Sequence, residues 1–247
     1  MEVKTEPAGR LYDILSEVKR ADEKLSSRNV WAKAFDVSPN DTSILLRMLA
    51  ELIQLADETK NKIERIEDID HKLYLKPFKK LDQFFSKINL DAGWKPWKDM
   101  LDDTTIYGLQ FCSDKLHRSS NYTKIGNEQI ESIKVSLNEL TEMVVNSDID
   151  QSLKELIVSN LEYLRQSLLS YKIRGIDGIQ QAIELNLGSI ILHKQEIKAK
   201  SKNGDRKKFW DKYASLLDNL NKTISAAKAI KELGGADLLK LLGFGDG

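Results

Sequence analysis

Residues 45–73 read LLRMLAELIQLADETKNKIERIEDIDHKL, and the spacing of their apolar side chains decides the fold class. Steps of four and three residues alternate along the series Leu45, Leu49, Leu52, Ala56, Thr59, Ile63 and Ile66, and Leu73 follows after a full seven-residue repeat. This rhythm keeps one apolar stripe on one face of an α-helix. We therefore predict a long helix that is capped by Asn40 or Asp41 and reaches about Leu75, because Pro77 must kink or restart it.

The same rhythm returns near the C-terminus in the series Phe209, Tyr213, Leu216, Leu220, Thr223, Ala227 and Ile230. Further helices are predicted over about 8–25, 29–36, 97–117, 128–145, 149–171 and 178–198, and short connections favour antiparallel neighbours. The predicted fold is all-α: an elongated antiparallel helical bundle with long heptad helices. Residues 1–199 are predicted to form the bundle. Residues 200–247 are predicted to form a basic linker, the C-terminal heptad helix and a short, flexible apolar tail.

The composition is that of a foldable, charge-balanced protein. Of its 247 residues 41% are hydrophobic and 31% are charged, with 38 basic and 38 acidic side chains. With a net charge of zero the protein as a whole does not attract nucleic acid electrostatically, so binding of nucleic acid would need a local cluster of basic residues. Cys112 is the single cysteine, which excludes an intrachain disulfide and fits a reducing compartment. The polar N-terminus does not resemble a signal peptide, and no run approaches the roughly 18 apolar residues of a membrane span. We expect a cytoplasmic protein.

No pattern of residues predicts a catalytic, metal or cofactor site. The three histidines, His71, His117 and His193, are far apart in sequence and form none of the usual metal-ligand pairs. Residues 175–178, Gly-Ile-Asp-Gly, have the outline of a nucleotide-clamping GxxG loop, but no strands are predicted beside them. A turn between two helices, with Asp177 near a cap, is the expected structure. The sequence thus favours a non-enzymatic protein without a cofactor.

Arg65 and His71 are separated by five residues and resemble the Arg-x(4–6)-His motif of the helical HEPN ribonucleases. The resemblance implies a pair that activates and positions the ribose hydroxyl and the scissile phosphate across a dimer interface. Family members carry a polar residue after the arginine, whereas this chain has Ile66. Acidic neighbours, Glu64, Glu67, Asp68 and Asp70, would also repel phosphates. The alternative is that both side chains lie on a solvated helix face.

Aromatic rings and lysines concentrate between Tyr74 and Met100. Rings that stack on bases beside lysines on the phosphate backbone hold single-stranded nucleic acid, and the same mixture suits a protein interface. The candidate residues for such a patch are Lys79, Lys80, Trp94, Lys95, Trp97 and Lys98. The alternative is that the rings fill a corner of the bundle while the lysines face water.

The C-terminal region supplies the candidate protein-binding residues. On the second heptad helix these are Phe209, Tyr213, Leu216 and Leu220, and in the tail they are Leu238, Leu239, Leu241, Leu242 and Phe244. Such a tail either docks in a groove of a partner or folds back onto its own bundle.

We therefore expect a helical interaction or regulatory protein, an adaptor or accessory subunit, that binds a protein partner or itself through helix faces. In its charge balance and lack of motifs the chain resembles bacterial proteins found near defence and mobile-element genes. The alternatives are a HEPN-like ribonuclease that uses Arg65 and His71, or a single-stranded nucleic-acid binder that uses segment 74–100.

Overall fold

The structure is a computed structural model that describes residues 3–4, 6–118, 127–147, 150–200 and 204–228. Over this part of the chain the protein is all-α, and the predicted fold class is confirmed. The only β-type pairing within these residues is an isolated bridge between Ser26 and Gly93. The elongated, antiparallel arrangement remains a prediction.

The first part of the chain forms helices α1 (Pro7–Arg20), α2 (Ser27–Phe35), α3 (Thr42–Glu64), α4 (His71–Tyr74), α5 (Lys76–Phe85), α6 (Lys95–Met100) and α7 (Asp103–His117). The second part forms helices α8 (Asn127–Val145), α9 (Gln151–Leu169), α10 (Tyr171–Leu192), α11 (Lys194–Lys200) and α12 (Gly204–Lys228). Among the described helices, none has a stretch of low polarity that is long enough to cross a bilayer.

Contacts group the chain into two compact units. Of the described residues, 3–4, 6–118 and 172–175 form the N-terminal unit, and 127–147, 150–171, 176–200 and 204–228 form the C-terminal unit. The boundary predicted at residue 200 stays a prediction, because grouping by contacts does not test which segments fold independently.

Helix α1 lies at the centre of the N-terminal unit, where it packs against α3 and α7, and α7 also packs against α5. The apolar stripe of α3 points into this core as its spacing predicts. Leu45, Leu49, Leu52, Ala56, Thr59 and Ile63 are all buried. Asp41 caps the helix, because its Oδ1 accepts a hydrogen bond of 3.0 Å from the amide of Ile44.

The prediction that the long helix reaches Leu75 is wrong, because α3 ends at Glu64. Asp68 adopts a left-handed conformation with φ of 57°. Asp70 then starts the new helix α4 by accepting hydrogen bonds from the amides of Lys72 and Leu73. Aspartate side chains accept hydrogen bonds from backbone amides and so compete with the hydrogen bonds of a continuing helix. The acidic segment 67–70 therefore interrupts the helix at a place where the apolar spacing predicts that it continues. Leu73, the last residue of the predicted stripe, is 63% exposed.

The predicted helix 97–117 is divided into α6 and α7 at Asp102. The Oδ1 atom of Asp102 accepts hydrogen bonds from the amide and the hydroxyl of Thr105, at 2.8 and 2.7 Å. Asp102 thus starts α7 as an N-cap.

Helix α10 is interrupted at Gly175, which has φ of 59° and ψ of −153°. The turn predicted at residues 175–178 is therefore a break inside α10, and the helix continues to Leu192. Residues 172–175 belong to the N-terminal unit, where the Nε of buried Arg10 donates a hydrogen bond of 2.8 Å to the carbonyl of Ile173. A Cβ on Gly175 would lie 2.7 Å from Nη1 of Arg10, so both the backbone conformation and the close approach require glycine.

In the C-terminal unit α8 packs against α9 and α12. The ring of Phe209 contacts those of Trp210 and Tyr213, with centroids 5.2 and 5.9 Å apart, and all three residues are buried. The basic linker predicted from residue 200 onward is helical where the structure describes it, since α11 runs to Lys200 and α12 starts at Gly204.

Candidate functional site

Arg65 and His71 lie at two different helix ends. Arg65 is the exposed C-terminal cap of α3, and half-buried His71 is the first residue of α4. The non-helical residues between them include Asp68 and Asp70, whose carboxylates disfavour a phosphate there. The pair is therefore not on one continuous helix face, and its assignment to ribonuclease chemistry remains a prediction.

Trp94, the central aromatic residue of the predicted nucleic-acid patch, is completely buried. Its indole Nε1 donates a hydrogen bond of 3.0 Å to the carbonyl of Val18, and its ring stands edge-on to that of Trp31 at 5.7 Å. The ring of Phe84 completes this aromatic cluster. Trp94 therefore cannot stack on a base, and its ring fills a corner of the core, which is the alternative that the sequence left open.

Three lysines of the same patch are engaged within the N-terminal unit. Lys80 forms an ion pair with Asp102. Lys95 Nζ lies 2.9 Å from Oε2 of Glu23, and Lys98 Nζ donates a hydrogen bond of 2.9 Å to the carbonyl of Ala21. The remaining members are Lys79, which is exposed, and Trp97, which is half-buried against the core. The six residues do not form one continuous exposed surface.

The partner-binding residues predicted on the second heptad helix are core residues of the C-terminal unit. Phe209, Tyr213, Leu216 and Leu220 are at most 3% exposed. Their side chains are buried against the same unit. A partner could contact them only if α12 dissociated from the rest of that unit. The tail residues Leu238, Leu239, Leu241, Leu242 and Phe244 lie outside the described residues.

Buried Glu6 and Ser113 and exposed His117 form a polar cluster between the start of α1 and the end of α7. The Ser113 hydroxyl donates a hydrogen bond of 2.6 Å to Oε1 of Glu6, and Nδ1 of His117 lies 3.6 Å from Oε2. A catalytic triad places the imidazole between the nucleophile and the carboxylate. Here the carboxylate lies between the hydroxyl and the imidazole, which is not the order of a catalytic triad. The cluster links the start of α1 to the end of α7.

Cys112 is also a core residue. It is fully buried on α7, and its thiol lies 3.4 Å from the carbonyl of Tyr74. Burial raises the pKa of the Cys112 thiol to about 12, so the thiol is neutral and unreactive at neutral pH. Among the described residues, no group of three or more histidine, cysteine, aspartate or glutamate side chains could hold a metal ion.

The N-terminal unit has a groove of about 230 Å³ on its surface, which we call the α5–α7 groove. One face of α7 forms one wall, since Thr104, Tyr107, Gly108 and Phe111 recur at steps of three and four residues. The opposite wall comes from α4 and α5. The groove is lined by Leu73, Lys76, Pro77, Lys80, Thr104, Thr105, Tyr107, Gly108 and Phe111.

Gly108 sets the depth of the groove. A Cβ at this position would lie 2.3 Å from Cγ of Pro77, so only glycine lets the proline ring approach α7 this closely. The two helices therefore meet at the floor, while the longer side chains on either side stand above it. The glycine is needed here for packing, in a helix interior where it costs about 1 kcal/mol relative to alanine.

Three bulky apolar side chains around the groove face solvent. Leu73 is 63% exposed, Tyr107 is 58% exposed and Phe111 is 66% exposed. Single exposed apolar residues are ordinary, but a cluster around one concave surface is typical of a binding site. The groove therefore offers apolar contacts that the N-terminal unit itself does not use.

Lysines surround the same groove. Lys76 and Lys80 line it, and exposed Lys72 and Lys79 belong to the same stretch of chain. No carboxylate occurs between His71 and Leu81 in the sequence. Across the groove Asp102 pairs with Lys80. Partial burial opposes ionisation of Asp102, but hydrogen bonds from Lys80, Thr105 and Thr104 outweigh it and hold the pKa of this carboxyl well below its usual value.

The sequence analysis did not identify this groove. One signal was present, because α7 has two apolar faces: Ile106, Leu109, Cys112 and Leu116 are buried, whereas Tyr107 and Phe111 lie four residues apart on another side. A second apolar face is what a helix with a further partner would show. Comparison with known proteins adds no assignment, since no family model, curated protein or solved structure matches the chain.

Proposed function

We propose that this protein is a non-enzymatic helical adaptor whose α5–α7 groove binds an acidic amphipathic helix of a protein partner. The observation that carries the proposal is the exposure of Leu73, Tyr107 and Phe111 around a concave surface. Helices bind such grooves through apolar residues at i, i+3 or i+4 and i+7.

The charges around the groove support an acidic partner. Exposed Lys76 lines one wall, and exposed Lys72 and Lys79 are close to it in sequence on α4 and α5. A helix with carboxylates beside its apolar face would lie against these lysines, and the opposite charges would favour association at low salt. A basic partner or a nucleic acid that relies on base stacking is less well matched, because Trp94 is buried and the exposed rings belong to an apolar groove.

A library of helical peptides displayed on phage tests the proposal with the full-length chain. Peptides are selected on the wild type, and their binding is then compared on F111D, K76E and a control, L46D. Leu46 is 54% exposed on α3 of the same unit, so L46D also introduces a charge at an exposed apolar position, away from the groove. Circular dichroism checks that each variant is folded.

The expected result is that the selected peptides combine acidic residues with an apolar i, i+4, i+7 pattern. Their affinity should fall at least tenfold on F111D, fall on K76E in a salt-dependent way, and stay unchanged on L46D. Selected peptides without a net negative charge, or equal binding to wild type and F111D, would refute the proposal.

A further inference from the structure

The α5–α7 groove has a direction, because residues 74–80 run antiparallel to α7 along it. Each step forward along α7 meets a step backward along residues 74–80. Three contacts show this order: Asp102 with Lys80, Gly108 with Pro77 and Cys112 with Tyr74. Thr104 and Lys80 line one end of the groove, which we call the Thr104 end. Leu73 and Phe111 line the other end, which we call the Leu73 end.

The two ends differ in polarity. At the Thr104 end the groove presents a threonine hydroxyl and the ion pair of Lys80 with Asp102. At the Leu73 end it presents the exposed apolar side chains of Leu73 and Phe111. The seven residue steps of α7 between the two ends span about 10 Å, which is two turns of a bound helix. One turn of such a helix therefore meets polar groups, and the other turn meets apolar groups.

The charges along the groove are also unequal. Its nine lining residues include Lys76 and Lys80 and no carboxylate. Lys80, at the Thr104 end, already forms an ion pair with Asp102. Lys76 lies one helical turn nearer the Leu73 end and is exposed, and none of the carboxylates among the described residues forms an ion pair with it. The unpaired positive charge that a ligand meets in the groove is therefore on the Leu73 side.

A bound α-helix has a charge preference of its own. It carries a partial positive charge at its N-terminus and a partial negative charge at its C-terminus. Its C-terminus is therefore favoured at the Leu73 end, beside Lys76, and its N-terminus at the Thr104 end, where Asp102 neutralises Lys80. Lys72 and Lys79 are exposed but do not line the groove, so the contrast between the two lining lysines decides the orientation.

We propose, on the basis of the function proposed above, that the acidic partner helix binds the α5–α7 groove in one orientation, parallel to α7. Its C-terminal turn carries the carboxylates that pair with Lys76 and the apolar residues that contact Leu73 and Phe111. Its N-terminal turn lies over Thr104 and carries no net charge. The opposite orientation would place the carboxylates next to Asp102, which repels them and already occupies Lys80.

Two synthetic peptides of about 15 residues test the orientation on the full-length chain. Both have the same composition and leucines at i, i+4 and i+7, and they differ only in whether the glutamates flank the first or the last leucine. A hydrocarbon staple on the opposite face keeps both peptides helical, because glutamates near a helix C-terminus otherwise weaken the helix. Circular dichroism checks that their helical contents are equal, and fluorescence anisotropy measures binding.

The peptide with glutamates in its last turn should bind the wild type about fivefold more tightly, the size of one exposed ion pair together with the dipole effect. Equal affinities, or a preference for the peptide with glutamates in its first turn, would overturn the proposed orientation while leaving an acidic-helix groove in place. Binding of neither peptide would refute the groove as a site for an acidic helix, and the orientation with it.

Charge variants of the protein test the assigned roles of the two lysines. D102N releases Lys80 from its ion pair, so the peptide with glutamates in its first turn should bind D102N several-fold more tightly than it binds the wild type. K76Q should remove the preference for the other peptide. D99N is the control, since Asp99 is exposed on α6 and does not line the groove. An unchanged preference in both D102N and K76Q would contradict the proposal. Circular dichroism checks that each variant is folded.

Disulfide trapping reads the orientation directly. The last-turn peptide is prepared with a cysteine at either its N-terminus or its C-terminus, and the protein carries T104C or L73C. The native Cys112 is fully buried and does not compete. Under mild oxidation the N-terminal cysteine should crosslink to T104C and the C-terminal cysteine to L73C, because a disulfide requires close approach of the two residues. The reverse pairing, or equal crosslinking in all four combinations, would refute the parallel orientation.

Discussion

The hydroxyl of Tyr213 on α12 donates a hydrogen bond of 2.7 Å to Oδ1 of Asn186 on α10, and both side chains are completely buried. Asn160 on α9 hydrogen-bonds the same hydroxyl. The amide nitrogen of Asn186 is also hydrogen-bonded, because Nδ2 donates to the carbonyl of Ala182 at 2.8 Å. A buried polar network of this kind holds three helices in one register, since any displacement leaves polar groups without partners in an apolar core.

We predict that Y213F lowers the free energy of unfolding by about 1–3 kcal/mol, because Asn186 and Asn160 lose a partner in a buried site. Y163F is the control, since Tyr163 is 50% exposed, and it should change stability little. Urea denaturation followed by circular dichroism measures both. Equal stability of the two variants would show that the hydroxyl of Tyr213 makes no net contribution.

Replacing Gly175 should destabilise the N-terminal unit. G175A forces an L-residue into φ of 59° and ψ of −153° and brings its Cβ to 2.7 Å from Nη1 of Arg10. Backbone strain in this region costs about 1–3 kcal/mol. G93A is the matched control, because a Cβ on Gly93 has no neighbour within 4 Å. Chemical denaturation should therefore show a clear loss for G175A and almost none for G93A; similar curves would contradict the assigned role.

Gly108 permits a different test, because the obstacle to a side chain is Pro77. On a solvent-exposed helix face G108A would raise the free energy of unfolding by about 1 kcal/mol. Here the rigid proline ring must move to make room for the methyl group, so we predict a net loss of stability. In the double variant P77A/G108A the obstacle is smaller. The cost of G108A should therefore be reduced when it is measured in the P77A background. A stabilising G108A single variant would refute the close packing of α5 and α7.

The stability of the protein should depend on pH through Asp102. Hydrogen bonds from Lys80, Thr105 and Thr104 outweigh the effect of partial burial and hold the pKa of the Asp102 carboxyl in the folded state well below its usual value. The ionised form therefore adds stability that is present above the unfolded-state pKa and is lost as pH falls toward the folded-state pKa. D102N keeps an oxygen that can cap α7 but cannot ionise. Between about pH 6 and pH 3 the wild type should therefore lose more stability than D102N, as measured by urea denaturation.

D99N, which changes an exposed carboxylate on the adjacent helix α6, is the control for a general effect of charge. Its pH dependence should follow that of the wild type. Parallel loss of stability in the wild type and D102N would remove the role assigned to the Asp102 hydrogen bonds.

The core-facing stripe of α3 could be predicted from the sequence, because it depends on a repeat within one helix. Every member from Leu45 to Ile63 is buried as predicted. The end of α3 was predicted eleven residues too late, at Leu75 instead of Glu64, because Asp68 and Asp70 act through turn and cap geometry that hydrophobic spacing does not report. Asp102 interrupts the predicted helix 97–117 for the same reason.

The candidate sites were harder to predict, because exposure depends on what packs against each residue. Trp94 and Phe209 look similar to Tyr107 and Phe111 in sequence, as aromatic residues in charged surroundings. The first two are at most 2% exposed, whereas the last two are more than half exposed. The difference lies in tertiary packing: Trp94 is enclosed beside Trp31 and Phe84, and Phe209 lies in the core that α12 forms with α8.

By itself the sequence determined the all-α class and the inward face of α3, because helical periodicity is a local property that one segment carries alone. The tertiary structure decided which apolar residues remain exposed and where the α5–α7 groove lies. These depend on pairs that are far apart in the chain, such as Pro77 against Gly108 and Trp94 against Val18. Such contacts form only after separate helices have met, so no spacing rule within one helix can report them.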